Sequence, residues 1–581
     1  MNQDVFFENF EMLAEAPNGV QELRELILQL AVMGKLVEQN PNDEPASMLV
    51  ELIKAEKKRL VTESKIKKLK TLLITEDGEV PHEIPSGWKW VKFDEILLRI
   101  SNGYSGKQNK NGIGIPVTRI ETIAYEKVDK SRFGYVENLS EDIINKYKLE
   151  KYDILFSHIN SDKHLGKTAV YYDENFLIHG TNLLLIRLIN DYTNADYINI
   201  VMKHTRASGF FASIAQHAIN QSSINQSKIR NILIPLPPLA EQKRIVSKVN
   251  ELMALCDQLE ARQQKKKKLR SKLNSAALDK MLSAENQDEF EEKWRRICEN
   301  FDLLYDNPEN VEELRKAVLQ LAVQGKLVEQ DEGDEPASVL IKNIEAKNKK
   351  LIKEGMIKKT KKLQPIGTEE TPYSLPNGWL WTRFGNIAPY IEAGWSPMCE
   401  KRPKEGDEWG VLKISAVSWD IFNPSENKAL PSNLKPRPEY EVKTNDFLMS
   451  RANTSELVGK SVVVEDTPSK LMINDKVLRL FFSSFAYKKF YNIFNNSQTA
   501  RFYYSKEASG TSSSMKNISR EVIYNMPVPL PPLNEQKRIV EKVDQLMGLC
   551  DELERKLRKG REESERLMET VVRGLIEGSA A

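Results

Sequence analysis

The chain has 581 residues, 40% apolar and 29% charged, with 26 prolines and a net charge of +2. That length needs more than one core, and the composition is that of a globular protein rather than a disordered or membrane-spanning one. The near-neutral balance gives no bulk sign of nucleic-acid binding, so any such role has to rest on local patches.

The N-terminal stretch MNQDVFFENFEMLAEA is acidic and lacks the basic start and apolar run of a signal peptide, so a cytoplasmic location is expected. Residues 19–38 and 44–70 read as two helices, the first ended or interrupted at Gly34, the second opened by Asp43, Glu44 and Pro45. The stretch ITEDGEVPHEIPSG is a linker. From Trp88 to Ile234 short apolar alternations sit between turns rich in Gly, Asn and Ser, as in an α/β domain. The run IPLPPL then stops the last strand, because proline cannot donate to a ladder, and a helix follows with Glu241 in its first turn.

Nearly all of this is written twice. PLPPLAEQKRIVSKVNELMALCDQLE (235–260) returns as PLPPLNEQKRIVEKVDQLMGLCDELE (529–554), identical at 20 of 26 positions. QELRELILQLAVMGKLVEQNPNDEPAS (21–47) returns at 312–338 with 19 of 27 identical, and IPSGWKWVKFDEI (84–96) returns as LPNGWLWTRFGNI (375–387). Between these anchors the halves diverge. What survives is a shared scaffold in which Tyr147, Asp153, Leu155, Ser157, Asn160, Gly166 and Lys167 match Tyr440, Asp446, Leu448, Ser450, Asn453, Gly459 and Lys460. A period near 290 is too long for a solenoid and describes a doubled domain set.

Ile245, Val249, Leu252, Cys256 and Leu259 alternate at spacings of four and three, as do Ile539, Val543, Leu546, Cys550, Leu553, Leu557, Leu567 and Val571. This heptad pattern predicts two long helices paired antiparallel in a coiled coil, the alternative being that each stripe packs on its own domain. The first loses phase near QQKKKKLRSK and is expected to resume it at Leu269 and Leu273. Over 241–282 such a helix extends about 60 Å.

Catalytic signatures are missing: no HExxH, GxSxG, post-strand GxGxxG or DPPY/NPPY motif occurs. SDKHLGKT (161–168) and TSELVGKS (454–461) end like a phosphate loop but lack its leading glycine and run into strand-like sequence, so a glycine turn is expected. His158, His164 and His179 do not form a matched constellation, and Cys256, Cys298, Cys399 and Cys550 lack CxxC spacing. The histidines are expected on surfaces or loops. Reduced thiols and no metal site are expected, with Cys256 and Cys550 as small core residues.

The repeated PLPPL-x-EQ helix, the P-x-GW-x-W motif and the LAVxGKLVEQ…DEPAS leader together resemble the specificity subunit of type I restriction–modification systems. The resemblance covers nearly the whole chain, although the leaders are longer than in the family's shorter members. It implies an α+β fold with two target-recognition domains separated by two long antiparallel helices and pseudo-two-fold symmetry. The corresponding division is leader 1–83, recognition domain 84–239, central helix 240–284, leader 285–374, recognition domain 375–533 and C-terminal helix 534–581. The family resemblance further implies a non-catalytic subunit that reads a split double-stranded DNA target. It docks two methyltransferase subunits, and restriction/translocase subunits join them. No cofactor is expected on this chain; S-adenosylmethionine, ATP and Mg belong to the partners. The leaders are assigned to partner docking. The rival reading is a duplicated adaptor that binds no DNA.

The segments 85–234 and 376–528 carry 19 and 20 Lys/Arg against 15 and 16 Asp/Glu, each a modest +4. Base reading draws on Arg or Lys for guanine and Asn or Gln for adenine. Loops with that chemistry lie at 101–112, 157–164 and 220–228, and at 394–404, 450–456 and 500–516. The candidate base readers are Lys107, Gln108, Asn109, His158 and Asn160, with Arg402, Arg451, Asn453 and Arg501 in the second half. Arg119 and Lys413 are candidates for phosphates or for their own domain's carboxylates.

Overall fold

The computed structural model describes residues 10–64, 80–218, 221–355, 363–418, 421–510 and 515–577. Residues 65–70 of the expected second helix, 356 of that helix's expected repeat at 335–356, 74–79 of the first linker, and 220 and 511–514 of the candidate loops lie outside this set. The chain forms two compact units, 1–266 with 561–581, and 267–560.

In the first unit, helix α1 (Gly19–Val32) buries Leu23, Leu26, Ile27, Leu30 and Ala31, the i, i+3, i+4, i+7, i+8 stripe of an amphipathic helix. It ends before Gly34, which takes a left-handed φ of 69° while the Lys35 amide donates back to the Leu30 carbonyl at 2.9 Å. A Cβ on Gly34 would stand 2.5 Å from the Pro85 ring, so this glycine serves both the turn and a close approach. Helix α2 (Ala46–Thr62) starts at Pro45 and buries Ala46, Leu49, Val50 and Ile53. Strand β1 (Lys89–Lys92) follows.

The core sheet is antiparallel. It contains β2 (Leu97–Asn102), β3 (Ile154–Ser157), β4 (Thr168–Val170) and β5 (Leu183–Leu188), in the order β2-β5-β3-β4. Tyr197, Ile198, Val201 and Met202 of helix α3 (Ala195–Ala207) share its core with Leu26, Ile27 and Leu30 of α1. Each such fully buried aliphatic side chain contributes roughly 1.5–3 kcal/mol. Strand β6 (Leu233–Leu236) closes the domain by pairing antiparallel with β1, Lys89 opposite Leu236 and Lys92 opposite Leu233. The long helix α4 (Leu239–Leu282) begins after Pro237 and Pro238.

The second unit repeats the plan with helices α5 (Pro308–Val323) and α6 (Ala337–Lys353) and strand β7 (Leu380–Arg383). Its sheet holds β8 (Tyr390–Ala393), β9 (Phe447–Ser450), β10 (Ser461–Val463) and β11 (Val477–Phe481), in the matching order β8-β11-β9-β10. Helix α7 (Lys488–Asn496) corresponds to α3, and β12 (Pro527–Leu530) pairs with β7, Leu380 opposite Leu530. Helix α8 (Leu533–Glu577) ends the described chain. Gly325 at φ 70° sits under Pro376 as Gly34 sits under Pro85.

Residues matched between the halves carry the scaffold. Asp153 is buried at the end of β3, where desolvation raises its pKa and Arg187 opposes that rise with two 2.7 Å bonds. Arg479 meets Asp446 at 3.0 Å in the second unit. Gly166 (φ 74°) and Gly459 (φ 82°) turn the chain between strands, each amide donating 2.8 Å to Ser157 or Ser450. The two GK segments are therefore strand-connecting turns.

At 44 and 45 residues, α4 and α8 each extend about 66 Å. Their expected phase holds at Leu553, Leu557 and Val571 and is corrected at three leucines. Leu269, Leu273 and Leu567 are exposed at 64%, 48% and 65%, while Asn274 (0%) and Met568 (2%) are buried. Eighteen residues separate Cys256 from Asn274 and Cys550 from Met568. Eighteen residues are five turns of a straight α-helix, so the inward face returns one residue later than a strict heptad count gives.

The root of each long helix is gripped in the same way. Glu241 is 1% exposed and accepts from Gln39 Nε2 at 2.6 Å, with the Trp88 indole beside it. Gln242, fully buried, accepts the Asn194 amide at 2.8 Å and donates to the Pro237 carbonyl at 2.9 Å. Arg244 pairs with Asp43 at 2.7 Å. In the second unit Glu535 accepts from Gln330 Nε2 and Trp379 Nε1, both at 2.8 Å. Gln536 accepts the Tyr487 amide at 3.1 Å and donates to Pro531 at 2.9 Å, and Arg538 meets Asp334 at 2.8 Å. Burial raises both glutamates' pKa values and their hydrogen bonds oppose the rise.

Candidate nucleic-acid interface

The segments expected to be base-reading loops are corrected in part: 500–507, with Arg501, belongs to a helix (Gln498–Glu507), Ile159–Asn160, Gln221–Ser223 and Ala452–Asn453 are short strands, and a helix opens at Gln226. The structure divides the candidate residues by what their side chains already hold. Lys107 and Arg451 are exposed, and among the described residues neither side chain makes a hydrogen bond or ion pair. Gln108 lies across two glycines, its Oε1 2.2 Å from where a Gly134 Cβ would stand and its Nε2 3.1 Å from one on Gly180. With Thr118, Arg119 and Asn182 it lines an open cleft of about 290 Å³. Arg119 faces that cleft while its Nε donates 2.7 Å to Glu121.

Other candidates are occupied internally. The Asn109 amide donates to the Ile113 carbonyl at 3.1 Å and to Glu137 at 3.3 Å, and its Oδ1 accepts from the Asn111 amide, closing an Asx turn. Asn160 and Asn453 act alike: each donates to a serine (Ser157 at 3.1 Å, Ser418 at 3.0 Å) and accepts the next residue's amide at 2.9 Å. Arg402 is forked onto Glu408 at 2.6 and 2.8 Å with Glu400 at 2.9 Å, and this guanidinium holds the Glu408 carboxyl down at about 2. Lys413 pairs with Glu426 at 3.4 Å. Arg501 donates to the Glu456 and Val458 carbonyls and lies over the Tyr504 ring.

The histidines differ in part from expectation. His158 and His179 lie in irregular stretches, as a loop position implies, but are 7% and 0% exposed rather than on the surface, and burial pushes each imidazole down to about 4; His164 sits part-exposed in a turn, as expected. His204 is driven down in the same way. The His158 and His179 rings are neutral buried groups, so His158 does not present its edge to solvent. Cys256 and Cys550 are buried as expected, burial raising both thiols, Cys256 to about 11. Among the described residues no cluster of His, Cys, Asp or Glu is arranged to hold a metal, and no helix is long and apolar enough to cross a membrane.

Sequence reasoning gave Glu241 only a helix-dipole role and missed that Glu241, Gln242 and Arg244 bind three different partners. The available signal was the pairing of EQKR with GW and DEPAS in both copies.

The model of the type I restriction modification DNA specificity domain matches residues 85–270 and 399–560. The chain belongs to that family. It is 36% identical over 549 residues to the type I restriction enzyme EcoEI specificity subunit of Escherichia coli, covering 94% of this chain and 92% of that protein. It is 32% identical over 545 residues to the EcoAI specificity subunit of the same species, covering 92% and 90%. A solved chain from work on complex assembly and conformational transition of the type I R-M system shares the fold at 18% identity. Its TM-score is 0.50, covering 85% of this chain and 99% of that one. The matched segments include both gripped helix roots and the loops around Lys107 and Arg451.

Proposed function

We propose that this chain is the non-catalytic DNA-reading subunit of a type I restriction–modification complex in the cytoplasm, recognising a bipartite double-stranded target with one recognition domain per half-site. The observation that carries the reading is a contrast. The helix roots repeat contact for contact in both units, while the loops that face solvent do not. A protein holding two equivalent partners on two different sequences needs that combination.

The two long helices serve as antiparallel struts related by pseudo-two-fold symmetry. Supporting this, Met568 and Val571 from the end of α8 join the core containing Leu259 of α4 in the first unit. In the second, Leu278 and Met281 from the end of α4 join the core with Cys550 of α8. Two methyltransferase subunits dock on the repeated surfaces, the exposed leader faces included, and restriction/translocase subunits join them. S-adenosylmethionine, ATP and Mg act on those partners. Lys107 and Arg451 are the leading base or phosphate contacts, with Gln108 and Arg119 at the cleft; Lys413 approaches phosphates, and Asn109, Asn160, Asn453, Arg402 and Arg501 shape the loops that carry these contacts.

The test is a gel-shift titration of the chain with its co-expressed methyltransferase subunits, combined with adenine-methylation mapping. Affinity is expected to fall steeply with salt and to favour one split sequence. Salt-insensitive, sequence-blind binding overturns the reading in favour of an adaptor.

A further inference from the structure

The first turn of each strut bonds to the leader and to the recognition domain, parts of the unit that also share one apolar core with the strut. Glu241 takes the leader through Gln39 and stands against Trp88, which precedes the strand opening the recognition domain. Its neighbour Gln242 takes the Asn194 amide, and Asn194 caps α3, the helix packed in that domain's core. Arg244, two residues beyond, returns to the leader at Asp43. Glu535, Gln536 and Arg538 repeat these bonds on Gln330 with Trp379, on Tyr487, and on Asp334.

Chain connectivity alone ties each domain to its strut through a two-proline step, Pro237–Pro238 or Pro531–Pro532, which leaves rotation about the strut root open. Bonds from one helical turn to the leader and to the cap of α3 or α7, added to the packing of Ile245 and Val249, or Ile539 and Val543, in the same core, remove that freedom. Four of the six residues are at or below 1% exposure, so the bonds are shielded from competing water.

We propose that this Glu-Gln-x-Arg turn is a spacing lock, whose residues act as positioning residues that set how strictly the chain measures the gap between half-sites. The inference rests on the bipartite DNA reading proposed above. On a duplex, one base pair more or less between the half-sites displaces the second by about 3.4 Å and rotates it by roughly 35°. A recognition domain fixed at its strut root rejects that displacement; one free to swivel by tens of degrees follows it.

The experiment uses the full chain assembled with its methyltransferase subunits. The substrate is a DNA library holding the same half-sites with spacers from two base pairs shorter to two longer than the preferred length. The wild-type complex is expected to modify the preferred spacer almost exclusively. Glu241→Ala and Glu535→Ala are expected to raise modification at one-base-pair-altered spacers at least ten-fold relative to the preferred one, with half-site bases unchanged. Glu535→Gln retains an oxygen to accept from Trp379 and should restore most of the strictness. Arg244→Met and Arg538→Met loosen the lock from its half-exposed side, leave the buried carboxylates bonded and should relax spacing about three-fold, so a folding failure of the alanine variants does not end the test. A lowered melting temperature with wild-type spacer ratios, or folded arginine variants with no relaxation, overturns the proposal and leaves the cluster a purely stabilising one. A wild-type complex with no preference for any bipartite sequence fails the underlying DNA reading instead.

Discussion

Placed side by side, the two units agree at the base and differ at the rim. Their root bonds match to within a few tenths of an ångström, except that Trp379 donates to Glu535 while Trp88 only stands beside Glu241; aligned rim positions lead different lives, for His158 is buried and neutral, and Arg451, its counterpart, is exposed. An intermediate case lies in the linkers. His82 stands 3.3 Å from the Val32 carbonyl and edge-on to Trp90, while Tyr373 donates 3.0 Å to Val323 and tilts over Trp381. One latch is thus made with a titratable ring and the other with a phenol. Positions bonded to the backbone tolerate a change of chemistry as long as one polar atom arrives at the same carbonyl.

The sharpest way to separate the units is acid. All six histidines lie between His82 and His217 in the first unit. His158, His179 and His204 have folded pKa values near 4, below the ordinary 6.5. Between those values the unfolded chain binds more protons, so their contribution is present above pH 6.5 and is lost as pH falls toward 4. For the well-buried His158 and His179 this amounts to on the order of 3 kcal/mol each. Glu241 and Glu535 are raised in both units and cancel in the comparison. Hydrogen exchange followed from pH 7 to 5 should show amides of the first unit losing protection before those of the second; simultaneous loss would refute the assignment.

Next in size are Gly34→Ala and Gly325→Ala. Each forces a Cβ into a left-handed turn against a proline ring, at an expected cost of about 2–4 kcal/mol, nearly equal in the two units. Thermal melting of the single variants measures both, and a large inequality would break the equivalence of the roots. Arg451→Ala should leave stability within about 0.5 kcal/mol but cost about 1–3 kcal/mol in binding the preferred target. His158→Ala should do the reverse, destabilising a core by about 2–4 kcal/mol. Paired melting and titration curves distinguish the two. The smallest effect is expected from exchanging the latches, His82→Tyr with Tyr373→His: under about 1 kcal/mol at pH 7, with part of the acid sensitivity moving to the second unit.

The doubled domain set, the strand-proline-helix step, the GK turns and the buried Cys256 and Cys550 were legible because each depends on local chemistry or on short spacings. Helix phase was legible in α8 at Leu553, Leu557 and Val571 but not at Leu273 or Leu567, where counting in sevens misses the inward face by one position. Burial of His158 and His179 was not legible, because imidazole suits a core or a surface depending on neighbours far away in sequence. The same holds for the candidate readers. Arg402 and Asn109 look identical in sequence to available ligands until the fold delivers Glu408 and Glu137 to them.

The pairing of β1 with β6, and of β7 with β12, makes the chain arrive at and leave each recognition domain on adjacent strands. A module whose two ends are neighbours can be lengthened, trimmed or replaced as a cassette without rerouting anything outside it. Recombination within the flanking duplicated stretches would then exchange a whole reader in one step and leave the frame that carries it untouched.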